Sequence, residues 1–182
     1  MIPFYPSKFR SHLLILVCVI VSFIAWYGIP SLQWYGMIRT ALYRGEYFYF
    51  LMQLSFYQFL HVDFLHLLMN SLFLYQMGGD IESRMKKDEF VAFFLGNTLF
   101  VALCLLTFDP YVLTMGISGF ATAILAYLYV DLRSVNHPLS WQLWFWLFLN
   151  IAIGLSAHIS LVWHASWAVF GILWWYMKKR IF

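Results

Sequence analysis

The residues of this chain whose types and spacing could do chemistry are His61, His66 and Asn70, then Ser118 between Gly116 and Gly119, then His164 with His158 shortly before it. A serine hydroxyl becomes a nucleophile only when a base takes its proton, and imidazole titrates near working pH. Ser118 and His164 are therefore a candidate nucleophile and general base. His66 and Asn70 are four residues apart, so a helix puts them on one face. Both can donate hydrogen bonds, which suits them to hold an oxyanion together with the Ser118 N–H. Gly116 and Gly119 leave room beside the serine for a substrate backbone. The nearest carboxylates are Asp63, Asp80, Glu82, Asp109 and Asp131, and most fall at the wrong end, so the expectation is a dyad without a third acid. Plainer readings stand beside these. Small residues let membrane helices approach closely, and an asparagine such as Asn70 commonly bonds between helices. His61 is either an interfacial histidine wetted by headgroups or a holder of water at the site.

The elements that must position these residues follow from composition. With 63% hydrophobic, 22% aromatic and 10% charged residues, the chain has too little polar surface to cover a soluble globule. An all-α polytopic membrane protein of one domain, residues 1–182, is expected. About 20 apolar residues make one crossing, and the apolar runs predict six spans: 11–29, 64–79, 90–108, 115–130, 139–157 and 159–177. The first span follows Lys8 and Arg10 and has no small-residue cleavage site after it, so it is read as uncleaved. Residues 30–60 mix aromatics with Arg39, Arg44, Glu46, Gln53 and Gln58, which predicts short amphipathic pieces on the membrane surface. Cys18 and Cys104 read as free buried thiols. The net charge of +3 gives no case for nucleic acid.

Cation placement orients the spans. With a cytoplasmic N-terminus, Lys8, Arg10, Arg84, Lys86, Lys87, Arg133, Lys178, Lys179 and Arg180 all fall inside and only Arg39 and Arg44 outside, a strong inside bias. Spans two, four and six then enter from the outer face. At about 1.5 Å per residue, His66 and Asn70 lie roughly 5 and 10 Å below Asp63, Ser118 about 5 Å below Met115 and His164 a similar depth below Ser160. Costly polar groups at one level on three helices predict a single cavity open to the outside.

This set resembles the rhomboid intramembrane serine proteases. The resemblance rests on His61 to Asn70 (HVDFLHLLMN), Gly78-Gly79 with Glu82, Gly116-Ile117-Ser118-Gly119, and His164 with Gly171. It implies a six-helix rhomboid-like bundle in a bacterial inner membrane with both termini cytoplasmic. It also implies a Ser118–His164 dyad, an oxyanion hole of His66, Asn70 and the Ser118 N–H, and His61 in a supporting position. The implied substrates are single-span membrane proteins, cut in or near the outer end of the transmembrane helix where helix-destabilising residues expose a carbonyl and small residues are preferred. No cofactor or metal is implied.

Four residues depart from the family pattern. Met52 and Gln53 stand where a Trp-Arg pair is common, and Thr122 where an aromatic often packs on the catalytic histidine. Trp167 replaces the first glycine of a His-x2-Gly-x3-Gly motif, and its bulk is expected to resist close approach of spans four and six. His158, in Ala157-His158-Ile159-Ser160, is the alternative base, but it falls at a predicted turn and is followed by Leu161 and Ala165 at the glycine positions. Glu82 with Arg84 reads as a cytoplasmic ion pair or helix-end contact, and Trp141, Trp144 and Trp146 as lipid-facing or packing residues. The alternative function is a catalytically inactive rhomboid-like protein that binds transmembrane helices. More remotely, a haem or metal carrier could use His66 and His164, which would leave Ser118 and Asn70 unexplained.

Overall fold

The structure, a computed structural model, describes residues 9–36, 40–108, 114–156 and 161–181, with side chains for these except 105–108, 153–156, 161–164 and 181. Among the described residues the fold is all-α, with no strand. Helix α1 is Phe9–Phe23 and continues as a π-helical turn over Ile24–Gly28, closed by Ile29 N–H donating to the Ile24 carbonyl at 2.7 Å. A 3-10 helix (Pro30–Tyr35), α2 (Thr40–Tyr43) and α3 (Tyr47–Phe56) are short pieces. The long helices α4 (Phe64–Arg84), α5 (Lys87–Phe108), α6 (Ser118–Ser134), α7 (Ser140–Ser156) and α8 (Leu161–Ile181) follow.

Phe9–Gly28 is the one described helix that is long and apolar enough, by length and composition, to cross a membrane. Its buried residues, Ser11, Cys18, Ser22 and Ala25, recur at helical spacing and face α4, while Leu13, Leu16, Ile20 and Phe23 are exposed. The small residues allow a close seam and the large ones face outward. Helix α4 starts at a cap in which the Asp63 carboxylate accepts the His66 N–H at 2.8 Å, satisfying one orphan donor. It does not stop at Gly79: the polar run through Arg84 stays helical because Asp80 and Glu82 are buried among partners.

Helix α6 is the axis of the bundle, buried at every position from Gly119 to Leu128, with α4, α5, α7 and α8 packed around it. Phe93 of α5 sets its ring against Phe120 and Tyr127 of α6 and Phe170 and Trp174 of α8. At one end of the bundle the Glu82 carboxylate accepts from Ser11 N–H at 2.8 Å and Ser11 Oγ at 2.6 Å. There too Arg84 pairs with Asp131 at 2.8 Å and Lys178 with Glu89 at 2.6 Å. The starts of α1 and α5 therefore meet the ends of α4, α6 and α8, so these last three run in one direction.

Candidate active site

Ser118 is the first residue of α6, after Ile117, which offers no side-chain cap. Its N–H therefore precedes the intrahelical ladder, at the positive end of the helix dipole. The turn leading into it is held by Gly116, whose N–H donates to the Tyr57 carbonyl at 2.8 Å and whose φ of 109° admits glycine far more readily than other residues. A methyl group added at Gly116 would lie 2.7 Å from His66 Cε1, 3.0 Å from His66 Nε2 and 3.5 Å from Asn70 Nδ2. The two α4 side chains that share a face thus converge on the backbone two residues before the serine. Asn70 is 7% exposed, and its amide nitrogen has no hydrogen-bond partner among the described residues.

His61 stands behind His66, their rings 5.1 Å apart in an edge-to-face arrangement. It is 1% exposed, which overturns the reading of a histidine wetted by headgroups. The Ser22 hydroxyl lies 3.1 Å from the Phe59 carbonyl and 3.0 Å from His61 Nδ1. A carbonyl only accepts, so the hydroxyl proton goes to Phe59 and the serine oxygen accepts from Nδ1–H, which assigns the tautomer. Burial, helped by the neighbouring His66, pushes the His61 pKa down to about 4, so the ring is neutral. Trp26 Nε1 donates to the His61 carbonyl at 2.9 Å, and Cys18 Sγ reaches the Gln58 carbonyl at 3.9 Å. Cys18, Ser22 and Trp26 recur every four residues along α1 and the π-helical turn that continues it. Their role went unread in the sequence, where that spacing of small or polar residues in an apolar run was the available signal.

The approach of α6 and α8 is close. A methyl at Gly171 would lie 2.2 Å from the Ala123 carbonyl oxygen, and one at Gly119 would lie 2.5 Å from Trp167 Cε2 and 2.6 Å from its Nε1. The expected obstruction by Trp167 does not arise, because Gly119 vacates the space that the indole fills. Gly119 therefore serves the packing of α8 directly. His164 belongs to α8, three residues before Trp167 and seven before Gly171 in the sequence. Its side chain, and the whole of His158, lie outside the described residues.

Glu82 is a helix-end contact, but with α1 and not with Arg84. It caps the first turn there and lies 3.4 Å from Arg10 Nε, while Arg84 goes to Asp131. Trp141, Trp144 and Trp146 of α7 are exposed. Gln53 is fully buried, its amide donating toward the Trp34 carbonyl at 3.4 Å, and Thr122 turns to Ser118 and Asn150.

The bundle is all-α, exposes many large apolar side chains and packs His66 and the buried Asn70 against the glycine two residues before Ser118. The Rhomboid domain model matches residues 49–180, and the chain belongs to the rhomboid family, whose members are generally serine proteases acting on transmembrane substrates within the bilayer. A comparison with curated proteins finds none that matches.

Proposed function

We propose that this protein is an intramembrane serine protease that cleaves a single-span membrane protein in or near the outer end of its transmembrane helix. Ser118 Oγ attacks the carbonyl carbon while His164 takes its proton, giving a tetrahedral oxyanion. His66 Nε2, Asn70 Nδ2 and the Ser118 N–H donate to that oxygen. Collapse breaks the C–N bond, His164 returns the proton to the leaving amine, and a water deprotonated by His164 then hydrolyses the acyl-enzyme. Gly116 and Gly119 keep the approach to Ser118 clear, and His61 supports His66.

The observation that carries this reading is the convergence of His66 Nε2 and the unpartnered Asn70 Nδ2 on the Gly116 backbone. The common direction of α4, α6 and α8 supports one shared depth for the site. The inside bias of the cations supports six crossings, both termini in the cytoplasm and a site opening outward, and the reading takes the membrane to be a bacterial inner membrane. A fluorophosphonate probe tests the reading. Labelling lost in Ser118→Ala and in His164→Ala supports it, whereas loss in His158→Ala with survival in His164→Ala moves the base to His158. A folded wild-type chain that takes no label is the inactive helix-binding relative instead.

A further inference from the structure

Thr122 lies one turn below Ser118 on α6 and is 1% exposed. Its Oγ1 is 2.9 Å from the Ser118 carbonyl oxygen and 3.0 Å from the Asn150 side chain of α7 at the atom assigned as Oδ1. The hydroxyl has one proton and both neighbours accept, so Thr122 O–H bridges the Ser118 carbonyl on its own helix and the Asn150 side-chain oxygen on α7.

Asn150 sits on the same side of α7 as Leu143, Leu147 and Ile151, which pack on the core. A carboxamide on an apolar seam fixes register, because sliding α7 by one residue would strand it. Ser118 needs such fixing. It opens its helix, where the ladder frays, and it lies between Gly116 and Gly119, whose backbone freedom makes the turn soft.

We infer that Asn150 and Thr122 are positioning residues for the nucleophile, tying the peptide unit that carries Ser118 to helix α7. This rests on the protease reading of the site. The two residues act through the Ser118 carbonyl and touch no substrate, so a small probe that needs no helix to enter should feel their loss. Their contribution is to hold the attacking Oγ and the N–H of Ser118 in one orientation relative to His66 and Asn70.

The test uses the full chain in detergent and the rate of fluorophosphonate labelling, with the thermal midpoint measured alongside. Asn150→Leu and Thr122→Val are expected to label about threefold to tenfold more slowly, the size of one interhelical hydrogen bond. The double variant should be no slower than Thr122→Val, because both remove one chain. Thr122→Ser keeps the hydroxyl and should restore the wild-type rate, which a loss of mere packing would not allow. Folded Asn150→Leu and Thr122→Val chains that label at the wild-type rate overturn the inference while leaving the site reading intact. If the wild type itself takes no label, the protease reading falls and the positioning role with it. Should Asn150→Leu fail to fold, Thr122→Val and its serine counterpart decide the matter.

Discussion

Replacing Gly116 by alanine separates the architecture of the proposed oxyanion site from its chemistry. At φ 109° any residue with a side chain is strained, at a cost of about 1–3 kcal/mol. The added methyl would also sit 2.7 Å from His66 Cε1 and 3.0 Å from Nε2, inside the ordinary carbon contact distance of about 3.5–4 Å. The imidazole must therefore retreat by several tenths of an ångström or more, while Asn70 Nδ2 at 3.5 Å can stay. Displacing one oxyanion donor costs on the order of 10²–10³ in rate. Gly116→Ala should therefore fold with modest destabilisation and lose about a hundredfold or more in fluorophosphonate labelling and in cleavage of a transmembrane substrate. Gly45→Ala is the control: it also places a side chain at positive φ, 73°, but with no atom within 4 Å of the new methyl, and should label normally. A folded Gly116→Ala chain that labels within about twofold of wild type would show that His66 is not an oxyanion donor.

Gly171→Ala should act oppositely, because its methyl meets the Ala123 backbone at 2.2 Å and backbone cannot turn aside. The thermal midpoint should fall sharply, and an unchanged midpoint would mean that α6 and α8 are not held at this contact. Glu82→Ala removes the acceptor for Ser11 N–H and Oγ, and leaving a buried donor unsatisfied costs about 1–3 kcal/mol. It should lower the denaturation midpoint while the surviving folded fraction labels at the normal rate. The His61 pKa, at about 4 in the folded chain against an ordinary value near 6.5, sets a pH window. The unfolded chain binds the proton first, so stability is full above pH 6.5 and falls as pH drops toward 4. His61→Phe should flatten that part of a stability profile, and a profile with the same slope would place the titration elsewhere.

What the sequence made legible was the part governed by spacing. His66 and Asn70 share a face because they are four apart, and their meeting with the glycine before Ser118 follows once α4 and α6 run in the same direction. Other features were set by contacts between elements, which periodicity does not encode. Trp167 reads as an obstacle when only its volume is considered, yet Gly119 lies across from it and the indole fills the space. Helix α4 reads as ending at Gly79 when charge marks the membrane edge. Asp80 and Glu82 instead remain helical because Arg84 and the start of α1 answer them. Thr122 stood only as a missing aromatic, although its hydroxyl reaches both Ser118 and Asn150.

The segment from Tyr57 to His61 joins these observations. It is irregular backbone that is largely buried, and buried backbone is tolerated only where its polar groups find partners. Four of its five carbonyls do so: Tyr57 accepts from Gly116 N–H, Gln58 from Cys18, Phe59 from Ser22 and His61 from Trp26. The Gln58 side chain completes the set by donating to Thr98 of α5. One face of α1 therefore fixes the loop, the loop fixes the glycine turn, and the turn presents Ser118 to His66 and Asn70. The Rhomboid match covers residues 49–180, so the residues that anchor this loop from α1 lie outside it. The position of the serine thus depends on a helix that holds none of the proposed catalytic groups.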